Sequence, residues 1–243
     1  MEQLNNYADS RLLRGCTYCG DPADTRDHVP SKCLLDPPYP PNLPVVECCY
    51  ECNQNFSKDE EYFVCLVESA MCGSTSPDKI IRPSVAKIME KSPALRQRIE
   101  NSKIEIEGKI AWKTENDRIE NVMLKLARGH AAFELSQPCR KEPDHFWCGC
   151  LNSLPEETRD EFNAAHFQHT AGEVSSRNMQ RLVVLQITQM SENGEAQNIP
   201  IIMNDWLDVQ DDRYRYIAID DMGSIIIRIV IAEFFACEVM WEL

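Results

Sequence analysis

The sequence predicts an α+β protein in three parts. Residues 1–72 read as a cysteine-rich, metal-stapled unit, 73–135 as a mostly helical basic region, and 136–243 as a strand-rich acidic region. Three observations carry this. Two Cys-x-x-Cys pairs lie within the first 60 residues. Apolar side chains recur at helical spacing between Asp59 and Glu134. From Arg181 onward, β-branched and apolar residues fill short runs separated by turn residues.

Composition narrows the class. With 243 residues, 43% of them hydrophobic and 26% charged, the chain can bury a core and is too apolar for disorder. No apolar run reaches the roughly 18 residues that span a bilayer. The longest, Ser224 to Trp241, is broken by Arg228 and Glu233. The opening MEQLNNYADSRLLRG lacks the apolar core of a secretory signal, so a cytoplasmic chain with no membrane partner is expected. A formal net charge of −14 argues against coating nucleic acid through bulk charge. Twelve cysteines, six of them between positions 16 and 52, then read as metal ligands in preference to a disulfide framework.

Along the chain, residues 1–60 carry five basic against ten acidic side chains and the Pro-rich stretch PPYPPNLP at 37–44. Asp59 to Ala70 reads as a helix, with acidic residues in its first turn and Phe63, Leu66 and Val67 on one face. Gly73 to Pro77 is a loop signal. Residues 79–128 reverse the charge, with twelve Lys and Arg against seven Asp and Glu. Pro83–Met89 and Pro93–Ser102 read as short helices and Lys103–Trp112 as a hairpin around Gly108. Arg118–Glu134 reads as a core helix through Ile119, Val122, Met123 and Leu126, interrupted at Gly129, with His130 as a helix-end residue. Pro155 to His166 begins like a helix. RLVVLQITQM, IPIIM and RYRYIAID read as strands, Asp221-Met222-Gly223 as a turn, and the last apolar run as a strand or two with room for helix in its middle.

Chemistry concentrates in Cys16-Thr-Tyr-Cys19 and Cys49-Tyr-Glu-Cys52. One such knuckle lets two thiolates reach the same Zn²⁺, and two knuckles close a tetrahedral site at about 2.3 Å per Zn–S bond. That site replaces the apolar core that a unit of about 50 residues cannot build. Gly20 suits the tight turn after the first knuckle. Cys48 competes with Cys49, but Cys49 alone keeps the two-residue gap to Cys52. The plain alternative is a set of thiols buried in a core.

Between the knuckles stand Asp27-His28-Val29-Pro30 and Asn42-Leu43, and Asn53 follows Cys52 directly. This order, CxxC, DHxxP, NL, CxxCN, resembles the zinc-stapled HNH endonucleases over about residues 14–63. The resemblance implies a ββα-metal module in which a strand hairpin and a helix clasp one catalytic divalent cation, Mg²⁺ or alternatively Mn²⁺ or Ni²⁺, beside a structural Zn²⁺. It implies His28 as the base that takes a proton from water, Asp27 and Asn53 as ligands of the catalytic cation, and Asn42 as the loop asparagine that orients the histidine. The implied activity is hydrolysis of DNA to 5′-phosphate and 3′-hydroxyl ends, with a place in bacterial antiviral defence. Asn53 competes with Asn55 and could serve only as a helix cap. Asn42 could be only a turn residue, and Lys58 sits two positions later than the family's usual basic residue.

Three further features complete the expectations. Lys79, Arg82, Lys87, Arg96 and Arg98 are candidate phosphate contacts that would offset the acidic module. Cys139, His145, Cys148 and Cys150 could close a second metal site, although C-x-C is a poorer zinc spacing; His166 and His169 lack an adjacent acid. Residues 136–243 suit a protein partner or a homodimer. The competing function is a zinc-stapled module that binds nucleic acid or protein without cutting.

Overall fold

The computed structural model describes residues 13–106, 108–190 and 196–243. Residues 1–12, which hold most of the opening stretch read for a secretory signal, lie outside them. Strand β1 (Thr25–His28) pairs antiparallel with β2 (Val45–Cys48), with Asp27 opposite Val46 and His28 opposite Val45. Helix α1 (Tyr50–Cys72) follows almost at once. The spacing had suggested only Asp59–Ala70, because the polar first turns carry no apolar stripe. Capping starts the helix instead: the Cys49 sulfur accepts from the Cys52 N–H at 3.4 Å, and Asp24 accepts from the Tyr50 N–H at 2.7 Å. Gly73, at φ 71°, ends it in the left-handed conformation.

Helices α2 (Pro83–Lys91) and α3 (Pro93–Asn101) each open on proline, whose fixed φ suits the first turn. The hairpin β3 (Lys103–Ile106) and β4 (Lys109–Trp112) leads into α4 (Asn116–Leu135). Next come β5 (His145–Cys150), α5 (Glu156–Asn163), β6 (His166–Gln168), β7 (Val183–Met190) and β8 (Ala196–Asn204). The chain closes with β9 (Leu207–Gln210), β10 (Tyr214–Asp221), β11 (Ser224–Ile231) and β12 (Phe235–Glu242). The described residues thus form a mixed α+β protein with five α-helices and several antiparallel sheets. No helix among them is long and apolar enough to cross a membrane.

The largest sheet has the order β5-β12-β11-β10-β9, and α4 packs between it and α1. One buried cluster runs from Leu34 through Phe63, Met89 and Leu126 to Ile227 and Trp241, so all three sequence regions feed one core. Helix α4 is buried along most of its length, as its apolar residues predict. It is not interrupted at Gly129, and His130 lies inside it. His130 is fully buried, stacks on Tyr216 at 3.7 Å and reaches the Tyr214 hydroxyl at 2.8 Å. Burial pushes its pKa down to about 3, which keeps it neutral.

Gly129 has a steric reason. A Cβ there would meet the Val29 side chain at 2.6 and 3.0 Å, so the missing side chain lets α4 approach the end of β1. Gly129→Ala is expected to lower stability. Overpacking costs about 1–3 kcal/mol, against about 1 kcal/mol gained from alanine's helix propensity. A urea midpoint at or above wild type would show instead that Val29 yields freely.

The last apolar run is strand, turn, strand, with no helix. The turn after β11 holds Ala232 at φ 55° and Glu233 at φ 48°, so a tight reversal occurs without the glycine or asparagine that would signal it. In strand β5, Cys148 lies opposite Cys237 of β12. The C-x-C spacing there reflects the period of two of a strand.

Candidate metal centre

The first knuckle folds on its own backbone. The Cys16 N–H donates to Asp21 O at 2.6 Å and the Gly20 N–H to Cys16 O at 2.9 Å, with Gly20 at φ 88°. Arg140, from beyond α4, braces it by donating to Cys16 O at 3.1 Å and to Arg14 O at 2.7 Å. The second knuckle is the β2–α1 junction. Pairing of β1 with β2 therefore brings the two together.

The sulfurs of Cys16, Cys19, Cys49 and Cys52 lie within 4.8 Å of one another, and the four form a cluster able to hold a metal ion. Tetrahedral bonds of about 2.3 Å set sulfurs roughly 3.8 Å apart; Cys19 and Cys49 are 3.7 Å apart. All four are free cysteines, so the set fits a thiolate-bound metal such as zinc. Burial would raise the Cys16 thiol, but the backbone N–H groups of Cys49, Cys19 and Tyr18 at its sulfur outweigh burial and lower it to about 6. The competition between Cys48 and Cys49 resolves in favour of Cys49. Cys48 is fully buried and its thiol turns to Cys49 O at 3.2 Å.

Tyr18, inside the first knuckle, connects the cluster to Asp27. Its hydroxyl donates to Asp27 Oδ2 at 2.7 Å, and its ring packs edge-on against Phe56 at 5.0 Å. Burial first, then the Asp27 carboxylate, keeps this phenol well above its ordinary pKa, so it stays a donor. The same Oδ2 lies 2.9 Å from Lys125 Nζ, which descends from α4. Lys125 also pairs with Glu60 of α1 and donates to Ser31 Oγ at 2.7 Å, while the Ser31 hydroxyl donates to Glu60. Burial opposes the ammonium's charge, but Glu60 and Asp27 hold its pKa above the usual lysine value.

His28 ends β1 half-buried, and its ring makes no hydrogen bond among the described residues. Burial, and then nearby Lys32, lower its pKa below the ordinary value, while Asp27 acts in the opposite sense, so the imidazole is neutral at pH 7. Asn53, in the first turns of α1, donates through Nδ2 to Thr25 Oγ1 and Arg26 O, each at 3.4 Å. Both partners take the amide N–H, which leaves the Asn53 carbonyl oxygen as an available ligand. Asn55 is exposed and its side chain makes no hydrogen bond among the described residues. Asn42 lies in an exposed turn, with no hydrogen bond to His28.

A carboxylate and an amide oxygen are the donors that a hard divalent cation takes, so Asp27 and Asn53 fit one in kind. Asp27 already has a positive partner in Lys125, however. By spacing alone Lys125 is one more residue of a core helix. A lysine set among Val122, Met123, Leu124 and Leu126 was the signal that could have found it.

Of the candidate phosphate contacts, Lys79 and Lys87 are exposed and Arg96 is half-buried. Arg98 pairs with Glu115. Arg82 is 4% exposed and occupied by Asp36 at 2.7 Å and Leu35 O at 2.6 Å, so it cannot reach a phosphate. Cys139, His145, Cys148 and Cys150 form no metal cluster among the described residues. His166 and His169 do have an acid: both rings lie 3.1 Å from Asp221 Oδ2, brought in from β10. A cavity of about 310 Å³ beside Trp147, Phe162 and Arg228 shares no residue with the cysteine cluster. Comparison with protein-family models, curated proteins and solved structures finds no match to the chain.

Proposed function

We propose that the chain is a metal-dependent HNH endonuclease that hydrolyses DNA, with His28 as general base. The observation that supports this reading most is the joint at β1. A four-cysteine cluster, a two-stranded hairpin and the helix α1 meet there, with Asp27 tied to the cluster through Tyr18, a neutral unengaged His28 beside it, and Asn53 on the helix.

Asp27 and Asn53 would hold the divalent cation, which when bound offsets charge developing on the scissile phosphate. His28 takes a proton from the attacking water at an imidazole nitrogen. The positive charge of Lys32, which is felt at His28, would favour a phosphate brought to that histidine. The bond between phosphorus and the 3′ oxygen breaks, and the leaving oxygen takes a proton from solvent, which gives a 5′ phosphate and a 3′ hydroxyl. Wild-type protein is expected to nick plasmid or cut single-stranded DNA with Mg²⁺, Mn²⁺ or Ni²⁺ and to stop when the cation is chelated. Inertness on every substrate and cation overturns the reading.

One observation favours the competing reading, a zinc-stapled binding module: an ammonium already faces Asp27. In that case nucleic-acid or protein binding would survive His28→Ala.

The partner of the C-terminal region is a second copy in our reading. Among the described strands β7 is an edge, and Val183, Val184, Leu185 and Ile187 are all more than 40% exposed. Neither β7 nor β8 carries a charged residue in a chain of net charge −14, so this edge can meet itself without repulsion. Sedimentation of wild type is expected to show a dimer that Leu185→Glu dissociates. A wild-type monomer contradicts it.

A further inference from the structure

Lys125 is 2% exposed, yet it belongs to none of the roles above. Its ammonium is shared between two carboxylates, Asp27 at 2.9 Å and Glu60, with Ser31 Oγ at 2.7 Å and the Phe56 ring at 5.3 Å. A lysine needs only one carboxylate to be compensated when buried. Two against one leave the buried group net negative, which is an environment that draws a cation. A buried carboxylate such as Asp27 also needs a positive partner at all times, and Tyr18 supplies only a single hydrogen bond.

We propose that Lys125 is a tethered counter-ion of the cation site. Without a divalent cation its ammonium is shared between Asp27 and Glu60; with one bound it gives up Asp27 and keeps Glu60 and Ser31. The inference rests on the nuclease reading, because it takes Asp27 as a cation ligand. An ammonium and a divalent cation on one carboxylate oxygen repel each other, so the two compete. The second berth is already built: Glu60 and Ser31 hold Lys125 and each other, so an ammonium displaced from Asp27 keeps a carboxylate and a hydroxyl as partners. Apparent cation affinity is then reduced by the fraction of time that Asp27 is free.

The test is Mn²⁺ binding to the zinc-loaded full chain, followed by electron paramagnetic resonance and so independent of cleavage. Lys125→Met keeps the apolar stem and removes the charge. Lys125→Met with Glu60→Gln also removes the carboxylate left unpaired, and serves if the single variant does not fold. Circular dichroism checks both. Each is expected to bind Mn²⁺ at least about tenfold more tightly than wild type, as for a site blocked nine-tenths of the time. Adding Asp27→Asn should abolish the gain. Equal or weaker binding by folded variants overturns the inference and leaves the nuclease reading standing. No Mn²⁺ binding by wild type or either variant removes both.

Discussion

Cys16→Ser, or removal of the metal by a strong chelator, is expected to unfold the segment from the first knuckle to the start of α1 while the large sheet stays folded. The reason is the small size of the local core. It consists of Cys16, Tyr18, Val29, Val46, Cys48, Phe56 and Phe133, with Cys49 and Cys52 packed against it, so nearly half of it is cysteine. Structural zinc contributes about 10–16 kcal/mol of apparent binding free energy to comparable small units, far more than these few apolar contacts replace. The main core, from Leu34 to Trp241, does not depend on the cluster. Hydrogen exchange should therefore show protection lost in β1, β2 and the first turns of α1, and kept in β10, β11 and β12. Unchanged protection in a metal-free protein would show that the four thiols are only packing.

His28→Ala is expected to lower cleavage by about 10²–10⁴-fold, the usual contribution of a general base. Fold and zinc content should hold. The ring is half-buried and makes no hydrogen bond among the described residues, so its removal orphans no polar group. Asp27, by contrast, is bound by Tyr18 and Lys125, and any change there disturbs a buried ionic group. Position 28 is thus where loss of activity separates cleanly from loss of structure. Cleavage at the wild-type rate by His28→Ala would overturn His28 as the base, and binding without any cleavage by wild type would favour the binding-module reading.

Much of this was legible in the sequence because the signals are local. Two knuckles, each closed over four residues, identify the metal cluster, and the prolines at the start of α2 and α3 mark helix starts. What stayed hidden depends on contacts distant in sequence or on unusual turns. The partners of Asp27 come from Tyr18 and from Lys125, nearly a hundred residues away, and no spacing rule links them. Asp221 meets His166 and His169 across more than fifty residues. Arg82 counted as a surface cation until its burial against Asp36 and Leu35 became visible. The early start of α1 was hidden because a sulfur and a distant aspartate cap it, and the Ala232-Glu233 turn because neither residue favours a positive φ. Gly129 looked like a break and is a contact, since only the packing of Val29 reveals why a side chain is missing there.

Incubation of zinc-loaded wild-type protein with supercoiled plasmid and Mn²⁺, followed by sealing with a DNA ligase, tests the central claim most directly. Nicks that appear only with the cation and reseal without end repair are the expected result, because the proposed hydrolysis, with His28 as base, would leave a 5′ phosphate and a 3′ hydroxyl. Nicks that resist sealing, or that form at the same rate in His28→Ala, would contradict it.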